Sequence, residues 1–152
     1  MVTFISKSPE ETQALGETWG RTVPMGLLIG LSGDLGAGKT QIVKGLARGL
    51  GIASCVLSPT FALVHEYAGG RLPLLHLDLY RLETPAQVIG AGLEEYLYQS
   101  PGVTVVEWIE RWFDTSHSLK SQGKQFKAGF RHVRIESIGE SERQIAYEDF
   151  GP

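Results

Sequence analysis

Gly26-Leu27-Leu28-Ile29-Gly30-Leu31-Ser32-Gly33-Asp34-Leu35-Gly36-Ala37-Gly38-Lys39-Thr40 is the stretch that decides how this chain folds. Residues 26–31 are an apolar run of strand length, and a glycine-rich turn follows at once. Beyond it Ile42, Val43, Leu46, Ala47 and Leu50 recur at helical spacing over 39–50, with Gly51 as a stop. Between strand and helix, Gly33 to Thr40 fits the pattern Gly, four residues, Gly, Lys, then Ser or Thr, the P-loop or Walker A arrangement. Glycines there let backbone N–H groups curl toward phosphate oxygens, and the following helix turns its positive dipole end to the same anion. Lys39 would reach the β and γ phosphates of a nucleotide, and the Thr40 hydroxyl would ligate Mg²⁺. Chance alone yields such a match in roughly one chain of this length in a hundred, and the flanking strand and helix make accident rarer.

Working outward, Ser8-Pro9-Glu10-Glu11 offers an N-cap serine, a proline at the first helical position and a glutamate three after the cap. A helix is predicted from there to about Trp19, with Leu15 and Trp19 on its buried face. On the other side, the β-rich runs 62–67 and 72–80 flank Gly69-Gly70, a hairpin signal. Thr84-Pro85-Ala86-Gln87 repeats the capping arrangement and predicts a helix to about Tyr98, and 103–108 reads as a strand. Residues 114–130 dissolve into Ser, Gly, Lys and Gln and read as loop. Two β-like runs, 131–138 and 143–147, close the chain around Gly139. The expectation is a three-layer α/β P-loop NTPase fold, with a mixed, mainly parallel central sheet and an antiparallel hairpin portion.

Length and composition bound the function. The 152 residues suit one compact domain over 1–152, and 42% apolar with 20% charged residues is a globular balance. No apolar run approaches the ~20 residues of a membrane span, and the N-terminus has no basic-then-apolar leader pattern, so a cytoplasmic protein without membrane contact is expected. A lone Cys55 excludes an intramolecular disulfide and suits a reducing compartment; it is read as a small packed residue. A net charge of −3 argues against gripping nucleic acid through the overall field. The basic stretch Lys120, Lys124, Lys127, Arg131 and Arg134 is read as a solvated loop, with RNA or partner contact as the alternative.

Hydrolysis beside such a loop needs carboxylates at neighbouring strand ends. In Leu74-Leu75-His76-Leu77-Asp78-Leu79-Tyr80, alternation sets His76, Asp78 and Tyr80 on one face and Leu75, Leu77 and Leu79 on the other. In Val103-Thr104-Val105-Val106-Glu107-Trp108, an apolar strand ends in Glu107, a Walker B arrangement with Glu in place of Asp and the stronger metal-side candidate. Trp108 could stack near a base or simply pack in the core, and His76 could meet phosphate or satisfy a neighbour. Ser58 and Thr60, straddling Pro59, have the form of a switch segment that senses a γ-phosphate, or of a plain turn.

Together Gly33 to Thr40, Ser58-Pro59-Thr60-Phe61, His76-Leu77-Asp78-Leu79-Tyr80-Arg81-Leu82 and Glu107-Trp108 resemble the bacterial TsaE (YjeE) family, small ATPases of tRNA threonylcarbamoyladenosine biosynthesis. The resemblance implies an ATPase, weak and Mg²⁺-dependent, that supports TsaD and TsaB while they place a threonylcarbamoyl group on the adenosine beside the anticodon. It does not itself make the transfer, and meets tRNA only through that complex. It further implies that ATP or ADP is bound by Thr12, Gly33, Asp34, Leu35, Gly36, Ala37, Gly38, Lys39, Thr40, Gln41, Ser58, Thr60 and Trp108. Thr40 and Glu107 would hold Mg²⁺, and Asp78, Glu107 and Lys39 would act in catalysis. Gln41 stands where a second threonine is common, and Ile109 where proline usually follows the Glu-Trp pair. A small-molecule kinase and a nucleotide-dependent binding module with negligible hydrolysis are the alternatives.

Overall fold

The computed structural model describes residues 1–34, 36–59, 62–113 and 125–151. The chain runs β1 (Val2–Ser6), α1 (Pro9–Thr22), β2 (Leu28–Ser32), α2 (Lys39–Gly49), β3 (Val64–Tyr67) and β4 (Leu74–Asp78). It continues through α3 (Pro85–Gly90), α4 (Glu94–Tyr98), β5 (Val103–Glu107), a 3-10 turn (Ile109–Arg111), β6 (Phe130–Ser137) and β7 (Arg143–Phe150). The strands form one seven-stranded sheet in the order β1-β7-β6-β2-β5-β4-β3. β6, β2, β5 and β4 run parallel at its centre, while β3 pairs antiparallel with β4, β7 with β6, and β1 with β7.

β2, β4 and β5 are nearly continuous apolar runs because both faces of the sheet are covered. Leu28, Leu75, Leu77 and Val106 pack on the α3–α4 side with Val88 and Leu97. Ile29, Leu31, Leu74 and Val105 pack on the α1–α2 side with Trp19, Ile42 and Leu46. His76 and Asp78, two and four residues after Leu74, therefore share the α2 face, opposite Leu75 and Leu77, as alternation predicts. The sheet buries both faces, so His76 and Asp78 are inside with the leucines. Tyr80 lies beyond the end of β4 and is 36% exposed.

α1 begins where its cap predicts: Ser8 accepts from the Glu11 N–H at 3.1 Å, and the Glu11 carboxylate accepts from the Lys7 N–H. Such a cap contributes about 1 kcal/mol. The face it buries is Thr12, Gly16, Trp19 and Gly20, with Leu15 only half-buried, because α1 and α2 are packed backbone to backbone. A Cβ on Gly45 of α2 would lie 1.9 Å from the Gln13 carbonyl oxygen, so this seam admits no side chain.

Several sequence expectations are corrected. The helix predicted from Thr84 to about Tyr98 is two helices, split where Gly92 takes φ +78°. β1 gave no sequence signal because its burial is uneven and, among the described residues, its only partner is β7. Phe130 is fully buried at the start of β6, so the loop reading fails for it, whereas Phe126, though buried beside it, lies in the turn before the strand as expected. Cys55 is exposed, not packed. Arg131 is engaged by Asp149 and lies over the Trp19 ring, which removes it from any free basic patch. Lys120 and Lys124 fall outside the described residues. Among the described residues no helix is long and apolar enough to cross a membrane.

Candidate functional site

Strand register builds the site. Leu31 of β2 pairs with Glu107 of β5, which pairs in turn with Asp78 of β4, so the carboxyl ends of three parallel strands finish in line. Ligand crevices of open α/β sheets lie beyond that edge. The loop leaving β2 turns into α2 through Gly38, which takes φ +103° and offers no side-chain cap, so the first N–H groups of α2 face the crevice without a side-chain acceptor at that position. A cavity of about 420 Å³ opens there.

Lys39 is 5% exposed; its ammonium donates to the carbonyls of Gly33 and Asp34 and lies 4.3 Å from the centre of the Trp108 ring. Burial lowers its pKa from the ordinary 10.5, opposed by the carboxylates of Glu107, Glu110, Asp78 and Asp34. The Thr40 hydroxyl stands 3.4 Å from both oxygens of Glu107. Glu107 is 4% exposed, and its Oε2 accepts from Nε2 of the fully buried His76 at 2.5 Å. Asp78 accepts from the Ser58 hydroxyl at 3.2 Å and from the Tyr80 N–H at 2.9 Å. Trp108 is held in the left-handed region at φ +63°, an arrangement that costs about 1–3 kcal/mol and clusters at working sites. It is half-buried between Lys39, Tyr80 and Arg111 rather than lost in the core.

Of the residues named from sequence, Thr12, Gly36, Gly38, Lys39, Thr40 and Gln41 line this cavity, as do Ser58, Asp78, Glu107 and Trp108. Gly33, Asp34 and Ala37 do not. They line a separate groove behind the loop with Ser32 and Arg134, and Ala37 is buried. Leu35 and Thr60 lie outside the described residues. Sequence reasoning missed Arg143, Glu140 and Ser141, which reach the cavity from the β6–β7 hairpin. Arg143 donates from Nε to the Ala37 carbonyl at 3.1 Å, pinning the loop from a strand more than a hundred residues away. No spacing rule links the two, since β7 meets the loop only through the order of the sheet.

Oxygen donors dominate: the Thr40 hydroxyl and the carboxylates of Glu107 and Asp78. Such donors suit Mg²⁺, which takes one or two protein carboxylates and completes its shell with phosphate and water. Among the described residues, no group of three or more His, Cys, Asp and Glu side chains is arranged to hold a metal ion.

Residues 6–145 match the family model described as "Threonylcarbamoyl adenosine biosynthesis protein TsaE". The chain belongs to the TsaE family. A relative from Nostoc sp. (strain PCC 7120), named tRNA threonylcarbamoyladenosine biosynthesis protein TsaE, is 50% identical over 105 residues, covering 67% of this chain and 64% of that one. The chain thus spans just under two thirds of that relative's length. The Bacillus subtilis (strain 168) protein of the same name is 39% identical over 144 residues, covering 95% of this chain and 83% of its own. The crystal structure of Bacillus subtilis YdiB superposes with a TM-score of 0.74 at 33% identity, over 99% of this chain and 86% of that one. The family model spans the loop, Asp78, Glu107, Trp108 and Arg143 of this TsaE-family chain, and the P-loop fold predicted from its sequence is the fold it has.

Proposed function

We propose that this chain binds ATP with Mg²⁺ and hydrolyses it slowly, as a cytoplasmic accessory subunit that supports TsaD and TsaB in tRNA threonylcarbamoyladenosine biosynthesis. One observation carries the reading: Lys39, Thr40, Asp78, Glu107 and Trp108, brought from α2, β4 and the end of β5, meet in one cavity at the carboxyl edge of the sheet. The names of the relatives supply the pathway.

The uncapped N–H groups at the start of α2 would receive the phosphates, and the Lys39 ammonium would leave its two loop carbonyls for the β and γ oxygens. Thr40 and Glu107 would hold Mg²⁺, whose charge offsets that building on the phosphate oxygens as the terminal bond breaks. Asp78, steadied by Ser58 and the Tyr80 N–H, would orient the attacking water and take up its proton. Arg143 would keep the loop closed over the bound phosphates. Because Ser58 is tied to Asp78, loss of the γ-phosphate would be felt at Ser58, giving the partner different surfaces before and after hydrolysis.

ATP turnover measured with and without TsaD and TsaB, for the intact chain and for Lys39→Ala, tests the proposal. Turnover by the intact chain that Lys39→Ala abolishes is expected; equal turnover in the two would sink it.

A further inference from the structure

His76 is the one fully buried ionisable side chain at the site for which the scheme above has no use. On β4 it pairs with Val105, whereas Glu107 pairs with Asp78, so His76 and Glu107 sit diagonally on neighbouring strands and on one face. Long side chains span that diagonal. The imidazole Nε2 meets Glu107 Oε2 at 2.5 Å, while Nδ1 has no hydrogen-bond partner among the described residues. A carboxylate only accepts, so Nε2 carries the hydrogen, and Nδ1 is left buried without a partner. An unsatisfied buried polar atom costs free energy, and a leucine in its place would avoid the cost.

From this we infer that His76 is a positioning residue for Glu107: by occupying one lone pair of Oε2 it fixes the carboxylate toward Thr40, the arrangement a divalent cation needs. The inference rests on the nucleotide reading above and adds to it a residue outside the cation's own ligand set. Freed from His76, Glu107 could rotate away from Thr40. Outer contacts of this kind change metal affinity by about 10–100-fold.

The test compares the intact chain with His76→Leu, His76→Met and His76→Gln, the last keeping an N–H near the position of Nε2. Mn²⁺ is titrated into each protein saturated with ADP, and free Mn²⁺ is followed by electron paramagnetic resonance; ADP affinity without metal is measured alongside by calorimetry. The expected result is Mn²⁺ binding weakened about 10-fold or more in the Leu and Met variants. Metal-free ADP affinity should stay within about two-fold, and His76→Gln should recover most of the loss. Unchanged Mn²⁺ binding in a folded apolar variant overturns the inference. So does an equal loss of metal-free ADP affinity, a Gln variant as weak as the Leu one, or failure of both apolar variants to fold, since each marks a general structural role. If the intact chain binds no ADP, the nucleotide reading itself falls, an outcome separate from these.

Discussion

Asp78 and Glu107 stand directly opposite each other on adjacent parallel strands, yet their carboxylates face different hydroxyls, Asp78 that of Ser58 and Glu107 that of Thr40. The two acids should therefore fail differently. Glu107→Gln is expected to raise the Mg²⁺ concentration needed for half-maximal turnover by at least about 10-fold. Asp78→Asn should leave ADP and Mg²⁺ binding nearly unchanged while lowering turnover by about 100-fold, the scale of a lost general base. Steady-state rates over a Mg²⁺ series separate the two.

Lys39→Met should weaken ADP binding by about 10–100-fold, the loss of charge-assisted hydrogen bonds to phosphate. Stability should move the other way. Burial depresses the folded-state pKa, so the unfolded chain binds more protons between that value and 10.5, and native stability rises with pH across this window. Below it the whole cost of burying the charge is present. Urea unfolding at neutral pH should find the Met variant at least as stable as the parent, with the difference closing as pH approaches 10.5.

His132 meets the Ser32 hydroxyl at 3.0 Å. Burial, reinforced by Arg134 and partly offset by Glu148, pushes its pKa down to about 4. The fold therefore holds the neutral ring, and stability present above pH 6.5 is lost as pH falls toward 4 and the unfolded chain takes up the proton first. The loss is about 2 kcal/mol once solvent screening of a half-buried group is allowed for. His132→Gln should flatten this part of the profile in denaturant titrations between about pH 7 and pH 4.

Gly45→Ala should destabilise by about 2 kcal/mol despite the better helix propensity of alanine, because the new methyl group meets the Gln13 backbone. Gly90, also helical, has nothing beyond its chain neighbours and its own helix backbone within 4 Å of the place an added methyl group would take, so Gly90→Ala should be neutral or stabilising. Thermal melts of the two variants make the comparison.

The elements visible in the sequence were those with a local cause. Ser8 and Thr84 announce their helices through side chains that cap them, and Gly69 marks the β3–β4 turn through its φ of +97°. Asp78 and Glu107 could be picked out because each ends an apolar strand. What stayed hidden depends on who lies beside whom. β1 is defined by β7, Arg143 acquires its role from the carbonyl of Ala37, and Glu107 receives its histidine from a neighbouring strand. The split between α3 and α4 was missed for a different reason: glycine at 90 and 92 reads as tolerated within a helix until the φ at Gly92 is known.

The pairing of β1 with β7 has a consequence for how the molecule is made. Among the described residues, every ladder contact of β1 is with residues 143–147, and the guanidinium that pins the loop belongs to the same strand, β7. During vectorial synthesis, residues 2–6 emerge early and wait unpaired while the central parallel strands form. The loop that carries Lys39 acquires its Arg143 clamp only once β7 has emerged, more than a hundred residues later. Docking of β1 and clamping of the loop therefore wait for one and the same segment, β7.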